Sequence, residues 1–373
     1  MNAPTEAELL DGIRRWVEVE SQTADVDGVN RVMSLAAADF AAAGAQVTRI
    51  PGRDGCGDHL SIRSPWGGDG PGVLVLCHLD TVHPRGTLGS DLPFRIDGDR
   101  AFGPGIYDMK GGVYIAFAAY RMLAENGRTT PLPIRFLIVG DEETGSRTSR
   151  DLIEAQAQEA KYVLVTEPAR DGGKIVTARK GVGRYELRVR GRPAHSGTSH
   201  KAGRSAIVEL ARQIVEIEAL TDYGRGVTFN IGQIRGGTAD NVVPEHAWAS
   251  VDMRVMSMAD AMAMDRRMRS LKAFNPDVTL EVEGGLNRPP FEKTNAIASL
   301  FEHARELAAE IGIDLVDTHT GGGSDGNFTA HLVATLDGLG VDGAGAHTLN
   351  EHLLISSLLP RLTLQRRLFE TLS

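Results

Sequence analysis

The sequence has few of the features that mark secreted or membrane proteins. Its 373 residues include only two cysteines, Cys56 and Cys77, which are too few for a disulfide framework and fit a reducing compartment. No apolar run approaches the roughly 18 residues that a membrane-spanning helix needs. The first stretch, "MNAPTEAELLDGIRRWVEVES", lacks the apolar core of a signal peptide. We therefore expect a cytoplasmic protein with no membrane partner.

Clustered basic charge is also missing. The net charge is −9, and the lysines and arginines are scattered along the chain. This pattern argues against nucleic acid or an anionic membrane surface as the main partner, and it leaves a small molecule as the expected ligand. An apolar content of 42% and a charged content of 24% are typical of a soluble globular protein. At this length we expect two domains rather than one.

The first 180 residues alternate between short apolar segments and segments with helical periodicity. Gly, Pro or Asp bounds each apolar segment, which is typical of buried strands. This alternation predicts an α/β domain with a doubly wound mixed sheet, mostly parallel and covered on both faces. The predicted strands are 46–50, 60–64, 72–77, 134–140 and 162–166, and the predicted helices are 6–20, 27–43, 110–126 and 148–158.

A second pattern begins after residue 180. Four alternating strands and two amphipathic helices follow in the order βαββαβ, which is the ferredoxin-like arrangement. Helices at 295–310 and 354–371 then return to the first pattern. The sequence therefore predicts that residues 1–180 and 288–373 form one domain, into which residues 181–287 are inserted. The predicted elements of the insert are 184–191, 202–220, 227–235, 246–255, 258–274 and 278–284.

Acidic residues and histidines follow the predicted strands of the first domain. In open α/β sheets, side chains at the carboxyl ends of the strands meet at one edge. So many carboxylates would repel one another unless a cation lay between them, and a pair of divalent metal ions answers that need. The residues are His78 and Asp80 after strand 72–77, Asp108 in "GPGIYDMKGG", Glu142 and Glu143 in "DEETGS", Glu167 in "TEP" and His347 in "GAGAHTLNEH".

The mixture of imidazole and carboxylate ligands suits Zn²⁺, Co²⁺ or Mn²⁺ better than Ca²⁺ or Mg²⁺. His78 and Asp80 are two residues apart on an extended chain, so both side chains point to the same face. One of them can bind the metal while the other orients it. Spacing alone leaves His352 as a competitor of His347.

These motifs, taken in order, resemble the M20 metallopeptidases. The resemblance lies in His-x-Asp after an apolar strand, G-x-G-x-x-D-M-K-G-G, D-E-E-x-G-S, T-E-P and a late G-x-G-A-H, and it spans nearly the whole chain. That family consists of hydrolases with two zinc ions and an inserted lid or dimerisation domain. The resemblance implies an amide-bond hydrolase of this architecture.

The resemblance also assigns a role to each residue of the metal site. Asp108 would bridge the two metal ions, and Glu142 would act as the general base on the water between them. Asp80 would be the partner that orients His78. The remaining metal ligands would be His78 and Glu167 on one ion, and Glu143 and His347 on the other.

Three further residues match functional positions of the family, two of them in the insert and the third, Arg288, just after it. His195 in "GRPAHSG" matches a lid histidine that reaches the site of a neighbouring protomer and stabilises the tetrahedral oxyanion. Asn241 in "DNVVP" and Arg288 in "NRPPF" match positions that hold the free carboxylate of the substrate. A homodimer is therefore expected.

Within the family, "GGGSDGNF" and "TLDGLG" are most similar to the glutamate carboxypeptidase branch. This similarity implies release of a C-terminal amino acid, with glutamate as the candidate, from a peptide or N-acyl conjugate. Arg179 and Lys180 match no specificity position with certainty. An N-acyl-amino-acid deacylase of the acetylornithine deacetylase type, and a catalytically silent metal-stabilised binding protein, remain as alternatives. A nucleotide-binding protein lacks support because no P-loop or complete glycine fingerprint is present.

Overall fold

A computed structural model of the chain describes residues 4–373, which form two compact units. The larger unit contains the chain up to Ala178, Lys293–Thr320 and Ser324–Ser373. The inserted unit contains Arg179–Glu292 and Gly321–Gly323. The insert is thus a few residues longer at each end than the predicted 181–287. No helix within residues 4–373 is both long enough and apolar enough to cross a membrane.

The larger unit is built from two parts of the chain that flank the insert. The elements of the first part are α1 (Glu6–Val17), α2 (Val26–Ala42), β1 (Gln46–Ile50), β2 (His59–Arg63), β3 (Gly72–His78), β4 (Arg95–Asp97), β5 (Arg100–Phe102), α3 (Gly111–Glu125), β6 (Ile134–Val139), α4 (Arg150–Gln158), β7 (Ala160–Val165) and β8 (Ile175–Arg179). Six further elements belong to the insert. They are β9 (Gly181–Arg190), α5 (Ala206–Glu218), β10 (Thr228–Gly236), β11 (His246–Val255), α6 (Met258–Arg269) and β12 (Thr279–Arg288). The elements of the second part are α7 (Asn295–Glu310), β13 (Asp317–Thr320), α8 (Gly326–Thr329), β14 (Thr335–Leu336), β15 (Gly343–Ala344), β16 (His352–Leu354) and α9 (Leu358–Thr371).

The main sheet of the larger unit is mixed, as the sequence predicts. Its strand order is β1-β2-β6-β3-β7-β14. The four strands β6, β3, β7 and β14 are parallel to one another. At the edge, β2 pairs antiparallel with β6, and β1 pairs antiparallel with β2. Because the central strands β6, β3 and β7 run in one direction, their carboxyl ends lie at one edge of the sheet.

Both faces of this sheet are covered, because alternate side chains of the central strands pack in opposite directions. On one face, Leu74 and Leu76 of β3 pack with Phe328 in a fully buried cluster. The other cluster is aromatic: Phe136 of β6 packs edge-to-face against Phe40 of α2 at 4.7 Å between ring centroids. The continuous apolar run of β3 is therefore explained by burial of all seven of its residues.

A small sheet not predicted from the sequence joins distant parts of the larger unit. Its strands lie in the order β15-β16-β5-β4 and are only two or three residues long. Within it, β16 pairs antiparallel to β5, with His352 opposite Phe102. The loops that adjoin these two strands are thereby brought together.

The inserted unit contains a four-stranded antiparallel sheet in the order β10-β11-β9-β12, with two helices. Its elements follow the order β-α-β-β-α-β. Inward-facing residues of the strands pack with α5 and α6, and alternate residues face outward, which accounts for the period of two seen in the sequence. The buried cluster includes Tyr185, Leu187, Val189, Leu210, Phe229, Ala249, Val251, Met253 and Met268.

Candidate metal centre

Three neighbouring parallel strands deliver four of the candidate residues to one edge of the main sheet. His78 is the last residue of β3. Glu142 and Glu143 lie in a short helical turn just after β6, and Glu167 lies two residues after β7. The register of β3 against β6 places His78 opposite Val139, so the strand ends lie side by side.

The small sheet brings the remaining two candidates to the same place. Asp108 lies in the turn Ile106–Lys110, which follows β5; the backbone of Asp108 is not helical, and its peptide bond to Met109 is cis. His347 lies in the loop between β15 and β16, with a left-handed backbone at φ 63°. Because β16 pairs with β5, the two loops lie against each other.

Asp108 lies between the two histidines. Its Oδ1 is 3.4 Å from Nε2 of His78, and its Oδ2 is 3.4 Å from Nε2 of His347. Each histidine has a second carboxylate: His78 Nε2 is 3.6 Å from Oε1 of Glu167, and His347 Nε2 is 3.1 Å from Oε2 of Glu143. The five side chains thus form two groups that share one carboxylate.

Glu142 belongs to the same cluster. Potential ligand atoms of His78, Glu142 and Glu167 all lie within 4.8 Å of one another, as do those of His78, Asp108 and Glu143. The structure therefore brings together every residue of the first domain that the sequence predicts for the metal site. The neighbouring His352 instead contacts the carbonyl oxygen of Asn350 through Nδ1, at 2.8 Å.

The charges of these groups depend strongly on one another. Burial raises the pKa of Glu143 to about 7, against the opposing effect of its contact with His347. Contacts with Asp108 and Glu143 raise the pKa of His347 to about 11. Burial would also raise the pKa of Asp108, but His347 and His78 hold it well below its usual range. Against the opposing effect of burial, the neighbouring carboxylates also raise the pKa of His78, so they favour the positively charged form of both imidazoles. A bound divalent cation would supply that positive charge instead.

The donor atoms fit a metal site. Nδ1 of His78 donates to the carbonyl oxygen of Asp80 at 2.9 Å, so a metal ion that displaced the proton of Nε2 would meet a lone pair directed toward Asp108 and Glu167. Within residues 4–373, the buried Nε2 of His78 and Oε1 of Glu143 have no hydrogen-bond partner. Buried polar atoms are normally paired, and a bound metal ion would give both of these atoms a partner. Imidazole and carboxylate donors of this kind suit Zn²⁺, Co²⁺ or Mn²⁺.

The contacts of Asp80 differ from the sequence prediction in one respect. The group that orients His78 is the backbone carbonyl of Asp80, since the nearest carboxylate oxygen is 3.5 Å from Nδ1. The carboxylate accepts instead from the backbone N–H groups of Glu142 and Glu143, both at 3.2 Å, and from the hydroxyl of Thr23 at 2.7 Å. Asp80 therefore holds both the histidine and the turn that carries the two glutamates.

Sequence reasoning missed Glu351, which is buried beneath the Asp108 turn. Its carboxylate accepts backbone N–H groups of that turn and the Nε2–H of His83. The sequence offers one weak signal, an acidic residue four positions after His347 in "HTLNEH". Its partners lie more than 240 residues earlier in the chain, so spacing could not reveal them.

The three candidate residues of the inserted unit lie in two places. His195 and Asn241 lie on adjacent paired segments, because Ser196 N–H donates to the carbonyl of Asn241 at 2.9 Å. The imidazole of His195 is exposed, and its Nδ1 accepts from Gly197 N–H at 3.1 Å, which leaves the proton on Nε2. Arg288 is buried, with 4% of its surface exposed, and it ends β12 opposite Val182.

Comparisons with known proteins agree with this architecture and this site. Residues 74–371 match the model of peptidase family M20/M25/M40. Carboxypeptidase G2 of Pseudomonas sp. (strain RS-16) is 30% identical over 369 residues, which cover 96% of this chain and 88% of that protein. A succinyl-diaminopimelate desuccinylase of Verminephrobacter eiseniae is 28% identical over 80% of this chain and 78% of its own length.

Solved structures show the same fold. Aminopeptidase PepT from Bacillus cereus superposes with a TM-score of 0.79 over 99% of both chains, at 24% identity. The YXEP protein of Bacillus subtilis, described as a dinuclear metal binding peptidase from the M20 family, superposes with a TM-score of 0.71 at 15% identity, covering 98% of this chain and 99% of that one. The chain therefore belongs to peptidase family M20/M25/M40 and is a metallopeptidase-type hydrolase of amide bonds.

Proposed function

We propose that the protein is a carboxypeptidase that uses two divalent metal ions, most suitably Zn²⁺, to release a C-terminal amino acid from a peptide or N-acyl conjugate. One observation carries this proposal: Asp108 lies 3.4 Å from each of two histidines that have further carboxylates beside them. That arrangement suits a carboxylate bridging two ions, with His78 and Glu167 on one side and Glu143 and His347 on the other.

Divalent ions held by such a donor set would lower the pKa of a water molecule and polarise the carbonyl of a substrate. Glu142 is proposed as the general base that takes the proton of this water and then delivers it to the departing nitrogen. The hydrogen bond from Glu142 N–H to Asp80 supports this role, because it fixes the backbone of the base beside His78.

Arg288 is proposed to bind the free carboxylate of the substrate, together with Asn241 of the partner protomer, because Asn241 lies beside His195 and far from Arg288 of its own chain. A guanidinium provides two parallel donors that match a carboxylate, so it supplies orientation as well as charge. Similarity to carboxypeptidase G2 supports a C-terminal amino acid as the released product. Glutamate is the amino acid that we propose, on the resemblance of "GGGSDGNF" and "TLDGLG" to that branch.

We further propose that the protein acts as a homodimer in which His195 of one protomer completes the site of the other. Arg288 pairs with Val182 near the first residue of β9, whereas His195 comes after its last residue, Arg190. A ten-residue strand is about 30 Å long. The pairing of the His195 segment with Val242 extends the ladder further in the same direction. One small substrate therefore cannot contact both side chains of the same chain.

The surface of the inserted unit supports self-association. Val208 and Val215 of α5 are 53% and 71% exposed, and Phe274 beside them is 48% exposed. The adjacent strand β10 is an edge strand of the four-stranded sheet. An exposed apolar helix next to an open strand edge is typical of a protein–protein contact.

The alternative activity is an N-acyl-amino-acid deacylase, and the similarity to desuccinylases favours including it in the test. The experiment measures hydrolysis of N-acyl and peptidyl glutamates and aspartates, N-acetylornithine and N-succinyl-diaminopimelate, with chelator and after Zn²⁺ is restored. Zinc-dependent release of glutamate supports the proposal. Preference for acetylornithine or succinyl-diaminopimelate would replace it with the deacylase. Zinc binding without turnover of any substrate would indicate a binding protein.

A further inference from the structure

Glu351 contacts none of the metal-site side chains directly, yet both of its carboxylate oxygens are engaged around the Asp108 turn. Oε1 accepts the backbone N–H groups of Tyr107 and Asp108, both at 3.0 Å. Oε2 accepts the N–H of Gly105 at 3.0 Å and the Nε2–H of His83 at 2.5 Å. Only 1% of Glu351 is exposed, so no solvent molecule competes for these contacts.

The Asp108 turn has little else that could satisfy its backbone. Three N–H groups within four consecutive residues point to one side, and buried N–H groups need an acceptor. Gly105 begins the turn with a left-handed backbone at φ 70°, and a Cβ at this position would lie 2.4 Å from the methyl group of Thr81. The turn is therefore packed closely and depends on the single carboxylate beneath it.

Glu351 also connects the two loops that carry opposite sides of the metal site. It directly precedes β16, which pairs with β5, and it lies four residues after His347. Its bond to the N–H of Asp108 therefore sets the height of the Asp108 side chain relative to the His347 loop. A shift of the Asp108 turn would change the 3.4 Å distance between Oδ2 of Asp108 and Nε2 of His347.

We propose that Glu351, held by His83, is a positioning residue that sets the Asp108 carboxylate in the place needed to bridge two metal ions. This inference rests on the proposed two-metal function. Glutamine has nearly the same shape as Glu351 but only one acceptor oxygen, so we expect that it cannot replace Glu351 in this role. In E351Q the amide NH₂ must face either the N–H pair of Tyr107 and Asp108, or the N–H of Gly105.

A matched control exists in the inserted unit. Glu209 is also buried, with 2% exposed, and its carboxylate also accepts two backbone N–H groups, from Phe274 at 2.8 Å and Asn275 at 3.0 Å. E209Q therefore imposes a similar loss of backbone hydrogen bonds in a unit that supplies none of the proposed metal ligands. It separates general destabilisation from an effect on the metal site.

The test measures Zn²⁺ binding to metal-free wild type, E351Q and E209Q by equilibrium dialysis, and the visible spectrum of each protein loaded with Co²⁺. We expect E351Q to bind Zn²⁺ roughly 10–100-fold more weakly than wild type, with an altered Co²⁺ spectrum. E209Q should lower the melting temperature and leave both metal measurements unchanged. Wild-type affinity and an unchanged spectrum in E351Q would overturn the inference.

A second pair of variants protects the test against misfolding of E351Q. H83L removes the donor to Glu351, whereas H83Q retains an N–H group at a similar position. The inference predicts weakened Zn²⁺ binding in H83L and recovery in H83Q. Equal Zn²⁺ affinity in the two variants would contradict it. Failure of the wild type itself to bind Zn²⁺ would instead overturn the proposed function, and this inference with it.

Discussion

Arg288 and His195 lie at opposite ends of strand β9, about 30 Å apart along a strand of this length. If both act on one substrate, they must come from different chains. H195A and R288A should each have little activity alone, while a mixture of the two proteins that is refolded together should regain activity. Random pairing makes half of the dimers mixed, and each mixed dimer has one intact site of two, so about a quarter of wild-type activity is expected.

Activity assays of the mixture and sedimentation of each protein check this expectation. The control mixes H195A with H195Q, a combination that restores no intact site. A fully active monomer, or a mixture no more active than its components, would contradict assembly of the site from two chains.

Arg288 should determine recognition of the free carboxylate. We expect R288A to lower kcat/KM on substrates with a free C-terminal carboxylate by roughly 10²–10³-fold, since it leaves a charged group without its bidentate partner. R288K retains the positive charge but not the planar guanidinium, so its kcat/KM should lie between those of wild type and R288A. Substrates whose C-terminal carboxylate is amidated should react equally slowly with wild type and R288A. Normal turnover of glutamate conjugates by R288A would refute this role.

Stabilisation by zinc should increase with pH. In the metal-free protein, the raised pKa of His347, about 11, contributes stability below its unfolded value near 6.5, and that stability is lost as the pH rises toward 11. The raised pKa of Glu143, about 7, likewise favours the fold at low pH and is lost as the pH rises from about 4.5 to 7. Zinc replaces the lost protons, so the rise in melting temperature on adding Zn²⁺ should be larger at pH 8 than at pH 5.5. An equal rise at both values, measured by thermal unfolding, would speak against these residues as ligands.

The parts of the fold that the sequence predicts are runs of at least five residues with a clear signal. β1 and α7 have the predicted bounds and β3 differs by one residue, because β1 and β3 are short runs between turn residues and α7 has helical periodicity. β5 and β16 were not predicted, since strands of three residues have no period to detect. Yet these short strands bring the loops of Asp108 and His347 together.

The residues of the metal site likewise include some that the sequence could predict and some that it could not. His78, Glu143 and Glu167 could be predicted to meet because each follows a strand of one parallel sheet, so chain order alone fixes their edge. Glu351 could not, because its partners are backbone N–H groups more than 240 residues away. The carbonyl of Asp80, rather than its side chain, orients His78, and only three-dimensional geometry distinguishes the two oxygens.

Glu142 is proposed as the general base of a two-metal hydrolase, and E142Q tests this role most directly. Zinc content, substrate affinity and kcat would be measured on wild type and E142Q with the best substrate of the panel. We expect E142Q to bind zinc and substrate as wild type does, because the five proposed metal ligands and Arg288 are intact. Its kcat should fall by roughly 10²–10⁴-fold, the usual contribution of a general base. A kcat near that of wild type would contradict the assignment of Glu142, and loss of zinc from E142Q would show it to be a ligand instead.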